Sequence, residues 1–304
     1  MSVGRVVLVT KQTVYEALVA RHGTRGNAAF LLQSRGDDIA PVEATHVRYQ
    51  GAVQAVMAGV PREMPYTAVM QNRVASFHFR PDDVVVTIGP DGLFVNVAKY
   101  LNGQPVVAVN PDPYTIDGVV SRVAPRDIRR LLVLLHDGGA ESDAIVLAEA
   151  TTPEGGRLLA VNDFLVGRRD QRSARYVLTH GAVREQQSSS GVLIATGLGA
   201  SGWYRSIRTA IRAAGAGGHY LPDDPAWDER RLVYAVREPF PSKDSGVVAV
   251  YGSIIDAEPF TITSHMPEGG VVCSDGVPED ALLFPAGLTV TIGIAKDTVR
   301  LVRP

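Results

Sequence analysis

The sequence predicts two domains of different class. An α/β N-terminal domain, a parallel sheet flanked by helices, is expected over residues 1–145, and an all-β-rich domain over residues 146–304, its C-terminal end able to pack back on the first. Three observations carry this. Apolar runs alternate with helical periodicity in the first half, which implies βαβ units and a parallel sheet. After about residue 140 the pattern changes to short β-rich segments separated by Gly, Pro, Ser and Asp. The length of 304 residues is enough for two buried cores.

Val6-Val9 is apolar at consecutive positions, as in a strand covered on both faces. Thr13 to Arg21 follows with Val14, Leu18 and Arg21 at helical spacing, and Gly23 is placed as a helix stop. Val84-Ile88 reads as a second buried strand. Phe94, Val97, Ala98 and Leu101, at i, i+3, i+4 and i+7, place a helix just after the turn Gly89-Pro90-Asp91-Gly92. Pro105-Val109 is a third strand, and a helix from about Pro125 to His136 has Pro early and Gly138 late. In the second half, Leu158-Val161, Arg175-Thr179, Val192-Thr196, Leu232-Val236, Gly246-Tyr251, Phe260-Ser264 and Leu288-Ile292 read as strands. One helix, Trp203 to Ala214, interrupts them, and Gly215-Pro225 reads as a loop.

Composition excludes several function classes. Lys+Arg 30 against Asp+Glu 32 gives no reason to expect a nucleic-acid surface or a polybasic membrane patch. No apolar stretch approaches the roughly 20 residues a membrane helix needs, and Arg5 and Lys11 bound the first apolar run, unlike a signal peptide. The single cysteine, Cys273, excludes an internal disulfide framework and suits a reducing cytoplasm, so a cytoplasmic location is expected. Cys273 follows the apolar pair Val271-Val272 and reads as buried rather than nucleophilic. The seven histidines form no HxxxH or HxH pair, so no metal site built from protein ligands is expected. Ser188-Ser190 lacks the surroundings of a hydrolase nucleophile.

The candidate site begins at the turn. A glycine-containing loop running from a strand into a helix exposes backbone N–H groups suited to phosphate. Asp91 within it reads either as a helix N-cap or as a carboxylate that binds a metal or takes a proton from an attacking hydroxyl. Asn162 and Asp163 close the apolar run "LLAVNDFLVG", either as a simple turn or as polar groups delivered to a cleft. The Gly/Ser/Ala loop Gly197 to Gly202 leads into Trp203, where small residues let a flat or phosphate-bearing ligand approach the backbone. Asn110 opens "NPDPYTIDG", directly after a parallel strand at the edge where open α/β sheets bind ligands. "VCSDG", Cys273 to Gly276, reads as a hairpin turn.

Taken together and in this order, these segments resemble the NAD kinase family, over about Arg5 to Arg303. Details such as "VVAVNPDP", "SARY", "SSSG", "TGLGASGW" and "VREP" are closest to the branch of mitochondrial-type NAD kinases. The resemblance implies an NAD kinase-like, diacylglycerol kinase-like fold. It also implies a phosphotransferase that moves a phosphoryl group from Mg2+-bound ATP to the adenosine ribose 2′-hydroxyl of NAD or NADH, as a homo-oligomer, expected to be a dimer. On that basis Asp91 is the general base or positioning group, and Gly89 and Gly92 let the loop approach nucleotide phosphates. Asn162 and Asp163 hold the ribose and adenine side of the dinucleotide. Ser201, Gly202, Trp203 and Ser206 line its pocket, with Asn110 and Thr196 also counted among the binding residues. The chain departs from the family at Pro90, Leu93, Leu198 and Ala200, where a loop glycine and hydroxyls are replaced. Those changes motivate two alternatives: a kinase of this fold acting on a sugar, nucleoside or lipid hydroxyl, and a non-catalytic dinucleotide-binding or sensing protein.

Overall fold

A computed structural model describes residues 3–215 and 221–304, so the last five residues of the glycine-rich stretch 214–220 and part of the expected loop Gly215–Pro225 lie outside the described residues. The chain divides into two compact units, Met1–Asp143 with Arg300–Pro304, and Ala144–Val299.

The first unit starts with β1 (Arg5–Thr10), whose central Val6 to Val9 are fully buried. Helix α1 (Val14–His22) begins at the N-cap Thr13, which forms a reciprocal capping box with Glu16, and ends at Gly23 with φ 79°. Two helices follow that the periodicity did not reveal, α2 (Arg25–Ser34) and α3 (Ile39–Gly59). Their apolar faces are thin: α2 buries Ala28, and α3 buries Ile39, Tyr49, Ala52 and Val56, so no strong 3.6-residue stripe announces them. Strand β2 (Tyr66–Met70), mostly exposed, also lacks an apolar run. Then come β3 (Asp83–Ile88), α4 (Asp91–Ala98), β4 (Pro105–Val109) and α5 (Ile128–His136), close to the bounds read from the sequence.

These strands run parallel in the order β2-β1-β3-β4, and the last residues of the chain, Arg300 and Leu301, pair parallel to β4. From β1 the chain crosses to β2 on one side and later to β3 and β4 on the other. The direction of winding therefore reverses between β1 and β3, the position at which sheets of this type hold ligands beyond the carboxyl ends of their strands. At the opposite edge, Arg5 donates to the buried Asp83 at 2.6 and 2.8 Å and ties the starts of β1 and β3 together. The core is built from Val6, Leu8, Val84, Val86, Ile88, Val107, Val109 and the inner faces of α3 and α5.

The second unit is antiparallel. Its strands are β5 (Ser142–Thr151, whose first two residues belong to the first unit), β6 (Arg157–Ala160), β7 (Asp163–Arg168), β8 (Ala174–His180), β9 (Val183–Ser189) and β10 (Val192–Ala195). After α6 (Trp203–Ala213) come β11 (Leu232–Val236), β12 (Tyr251–Ile254), β13 (Phe260–Ser264), β14 (Gly270–Ser274), β15 (Val277–Leu283) and β16 (Thr289–Val302). One sheet has the order β12-β11-β10-β7-β14-β15. A second layer contains β9-β8-β13 and the first half of β16. Phe164, Tyr176, Tyr234, Phe260 and Phe284 fill the shared core.

One strand is displaced from its expected place. Gly246–Val250 is not regular sheet, and the strand lies at Tyr251–Ile254 instead. The cause is a side chain: Glu185 accepts the N–H groups of Val248 and Ala249 at 3.0 to 3.1 Å, donors that a ladder would otherwise use. Among the described residues no helix is long and apolar enough to cross a membrane.

Candidate functional site

In the first unit, β3 ends in Gly89 and α4 begins at Asp91, with Pro90 as its N-cap residue at φ −68°. Asp91 does not cap its own helix. Its Oδ2 accepts the Val119 N–H at 2.7 Å, and its Oδ1 accepts those of Val120 and Ser121 at 3.2 and 2.9 Å. Gly118, at φ +67°, provides the left-handed step that turns these three amides toward the carboxylate. A carboxylate has about four acceptor positions, so this grip uses three of them.

Two glycines of the loop differ. A Cβ on Gly92 would meet nothing within 4 Å, so the start of α4 is open to a ligand. A Cβ on Gly89 would lie 2.8 Å from Leu93 Cδ2. Leu93 is only 2% exposed and packs over Gly89, so it points into the unit rather than toward a bound phosphate. Asn110 is likewise committed to its loop: Nδ2 donates to the Ile116 carbonyl and Oδ1 accepts the Asp112 N–H, both at 3.0 Å.

Beside Pro90, at the reversal point between β1 and β3, lies a pocket of about 440 Å³. Its walls include Lys11, Val14, Val42, Tyr49, Pro111 and Ile116, and its size falls within the range of small-molecule sites. Tyr49 forms the floor. Its hydroxyl accepts the Lys11 N–H at 2.9 Å and donates to the Ile88 carbonyl at 3.0 Å, joining the ends of β1 and β3. Asp112, at another wall, is buried and bonded to Arg48 at 2.7 Å and Thr115 at 2.8 Å. Burial alone pushes its carboxyl up, but the hydrogen bonds from Arg48 and Thr115 outweigh burial and hold it below the ordinary range. The sequence reading did not pick out Lys11 or Tyr49. Lys11 directly follows a buried strand, so its place at the carboxyl edge was the available signal.

In the second unit, Asn162 lies between β6 and β7, and Asp163 is the first residue of β7. The Gly/Ser/Ala loop sits on them. Thr196 Oγ1 donates to the Val161 carbonyl at 2.6 Å and accepts the Gly199 N–H at 3.1 Å, while its own N–H reaches the Asn162 carbonyl at 2.9 Å. A Cβ at Gly199 would run into the backbone of Asn162, so only glycine permits this contact. Thr196 is fully buried and serves the loop itself. Ser201, Gly202, Trp203 and Ser206 are exposed at the loop's end and the first turn of α6. Trp203 lies under the Arg237 guanidinium at 4.9 Å. The second unit thus brings together Asn162, Asp163, Thr196 and the loop that leads to Trp203.

Asp163 is the most perturbed carboxyl of this group. Burial, then the field of Asp275, pushes it up to about 7. Asp275 belongs to the hairpin turn read from the sequence, and that reading holds: Asp275 and Gly276 have φ 53° and 68° between β14 and β15, with Ser274 paired to Val277. Cys273 is half-buried and its thiol is pushed up by burial, the opposite of an activated nucleophile.

No protein-family model and no curated protein matches the sequence. Solved structures do. An NAD kinase from Archaeoglobus fulgidus in complex with ATP superposes with a TM-score of 0.59 at 16% identity, covering 98% of this chain and 93% of that one. Yeast NADH kinase complexed with NADH gives a TM-score of 0.63 at 12% identity, covering 100% of this chain and 84% of that one. At such identities the likeness is one of fold, and it spans both units. The chain has an NAD kinase-like fold, an α/β region followed by an antiparallel β-rich region, as the sequence resemblance implied.

Proposed function

We propose that this protein is a kinase that transfers the γ-phosphoryl group of ATP to the adenosine ribose 2′-hydroxyl of NAD or NADH. The observation that carries the reading is the arrangement in the second unit, where the glycine loop is laid on Asn162 and Asp163 within a fold shared with NAD and NADH kinases. The loop, its exposed Trp203 and the Asn–Asp pair suit a dinucleotide: small residues admit the backbone of a ligand, and the pair offers hydrogen bonds to ribose hydroxyls.

The first unit offers groups suited to ATP. The apolar walls of the 440 Å³ pocket suit the adenine of ATP, and Lys11 suits its phosphates. The open start of α4 at Gly92 offers further N–H groups to anionic oxygen. Pro90 contributes no donor here, and Leu93, turned inward, contributes no hydroxyl. Asp91 keeps one acceptor position beyond its three amides and takes the proton of the attacking hydroxyl.

Among the described residues no cluster of three His, Cys, Asp or Glu forms a metal cage. Mg2+ would therefore be held chiefly by the ATP phosphates, its usual manner, and would neutralise their charge when bound.

The test is transfer of label from γ-labelled ATP to NAD, NADH and a panel of sugars, nucleosides and lipids, together with dinucleotide binding by calorimetry. Labelled NADP or NADPH supports the proposal. Label on another hydroxyl alone supports a kinase of different substrate, and dinucleotide binding without any transfer supports a sensing protein.

A further inference from the structure

The Asp275–Gly276 turn is more than the tip of a hairpin. The Asp275 carboxylate reaches back over more than a hundred residues of chain and accepts the N–H groups of Val161 at 3.1 Å, Asn162 at 2.7 Å and Asp163 at 3.2 Å. Its own N–H donates to the Asp163 carbonyl at 2.9 Å. Ser274 steadies it, with Oγ 3.2 Å from Asp275 Oδ2 and 2.6 Å from the Leu159 carbonyl. Thr196 grips the same three-residue stretch through the carbonyls of Val161 and Asn162. The backbone of residues 161–163 is therefore held through its donors by Asp275 and through its acceptors by Thr196 and the Asp275 N–H.

We propose that Asp275 is the positioning residue of the dinucleotide site, fixing Asn162 and Asp163 through their backbone amides and placing its own negative charge where the Asp163 side chain feels it. The inference rests on the dinucleotide reading of this site.

The surroundings of Asp163 leave Asp275 in control. Across the ladder, β10 presents Ala195, and β14 pairs with β7 through Ser274 opposite Phe164. Asp275 is the charged group whose field, after burial, raises the Asp163 carboxyl. The two carboxylates are not equivalent. Asp275 has three amides to stabilise its charge, whereas Asp163 is buried beside like charge, so the proton resides on Asp163. In wild type, affinity for NAD(H) rises as pH passes through about 7, because the ionised form accepts two hydroxyl donors where the neutral acid must give up one acceptor position.

Asp275→Asn removes the charge and keeps one acceptor oxygen, able to hold the Asn162 and Asp163 amides while the NH2 group faces the Val161 N–H. Asn-Gly is the favoured pair for this turn, so the hairpin survives, and the amide oxygen still accepts N–H groups. The experiment follows the Asp163 carboxyl carbon by NMR against pH in the ligand-free full chain. It also follows the NAD(H) dissociation constant against pH, for wild type, Asp275→Asn and Asp275→Ala. The expected result is a wild-type Asp163 midpoint well above that of ordinary aspartates, with both the carboxyl and the binding midpoints moving to lower pH in Asp275→Asn. In Asp275→Ala, which also loses the grip, affinity for NAD(H) falls roughly tenfold while KM for ATP stays unchanged. An ordinary wild-type midpoint, or midpoints shared by wild type and Asp275→Asn, overturns the inference. So does a loss of stability in Asp275→Ala with unchanged affinity. Should wild type bind neither dinucleotide, the functional reading fails, and the ligand-free titration still decides whether Asp275 governs Asp163.

Discussion

The two units build their candidate sites in opposite ways. In the first, β3, the Gly89–Gly92 loop and α4 are contiguous in sequence, and the carboxylate of Asp91 is secured by a loop some thirty residues on. In the second, the Asn162–Asp163 corner is held by Thr196 and Asp275, the residues that directly follow two other strands of the same sheet. The first half tolerates change at its margins, as Pro90 and Leu93 illustrate, because strand, turn and helix set the loop locally. The second depends on distant backbone contacts that leave almost no room.

The comparison can be broken first at Asp91. Asp91→Asn is expected to lower phosphoryl transfer on the order of 10³-fold, measured as labelled NADP formed per enzyme. It is also expected to lower stability by about 1–3 kcal/mol in urea unfolding, because one of the amide partners of Asp91 meets an NH2 group instead of an oxygen. Wild-type turnover in that variant would show that the loop serves only to order residues 118–121.

Asp163 gives the next largest effect, and it runs against intuition. The folded value near 7 lies above the ordinary value of 3.8. The carboxyl thus favours the folded state fully below about pH 4, and that contribution is lost as pH rises through about 7. Asp163→Asn should therefore be more stable than wild type by about 2–4 kcal/mol at pH 8, with the gain vanishing toward pH 4, while dinucleotide affinity falls. Melting curves at the two pH values decide it; equal differences at both would mean the carboxyl is not strained.

Gly199→Ala tests the tight half directly. Its methyl group collides with backbone rather than with a flexible side chain, so a loss of about 1–3 kcal/mol or more is expected, with weakened NAD(H) binding and unchanged KM for ATP. Val42→Trp is the reciprocal probe in the first unit. Filling the pocket from α3 should raise KM for ATP roughly tenfold with kcat and NAD(H) affinity unchanged. A rise in KM for NAD(H) instead would reassign the pocket to the acceptor.

Legibility in the sequence followed the same divide. β1, β3, β4, α4 and α5 were readable because buried parallel strands are continuous apolar runs and the turn before α4 is local chemistry. α2 and α3 were not, since their small buried faces give little periodicity. Asn162 and Asp163 stood out as polar residues closing an apolar run. Asp275 read correctly as a hairpin residue, but the destination of its carboxylate, set by a partner 112 to 114 residues away, has no local signature. The Asp91 contacts with Val119–Ser121 were hidden for the same reason, and the N-cap alternative failed because Pro90 occupies the cap.

The contact between Gly199 and Asn162 has a kinetic corollary. Two stretches that meet with only a hydrogen atom between them cannot loosen independently. The amides of Thr196 and Gly199 should exchange with solvent deuterium at one common opening rate shared with Asn162 and Asp163, and a bound dinucleotide should slow all four together.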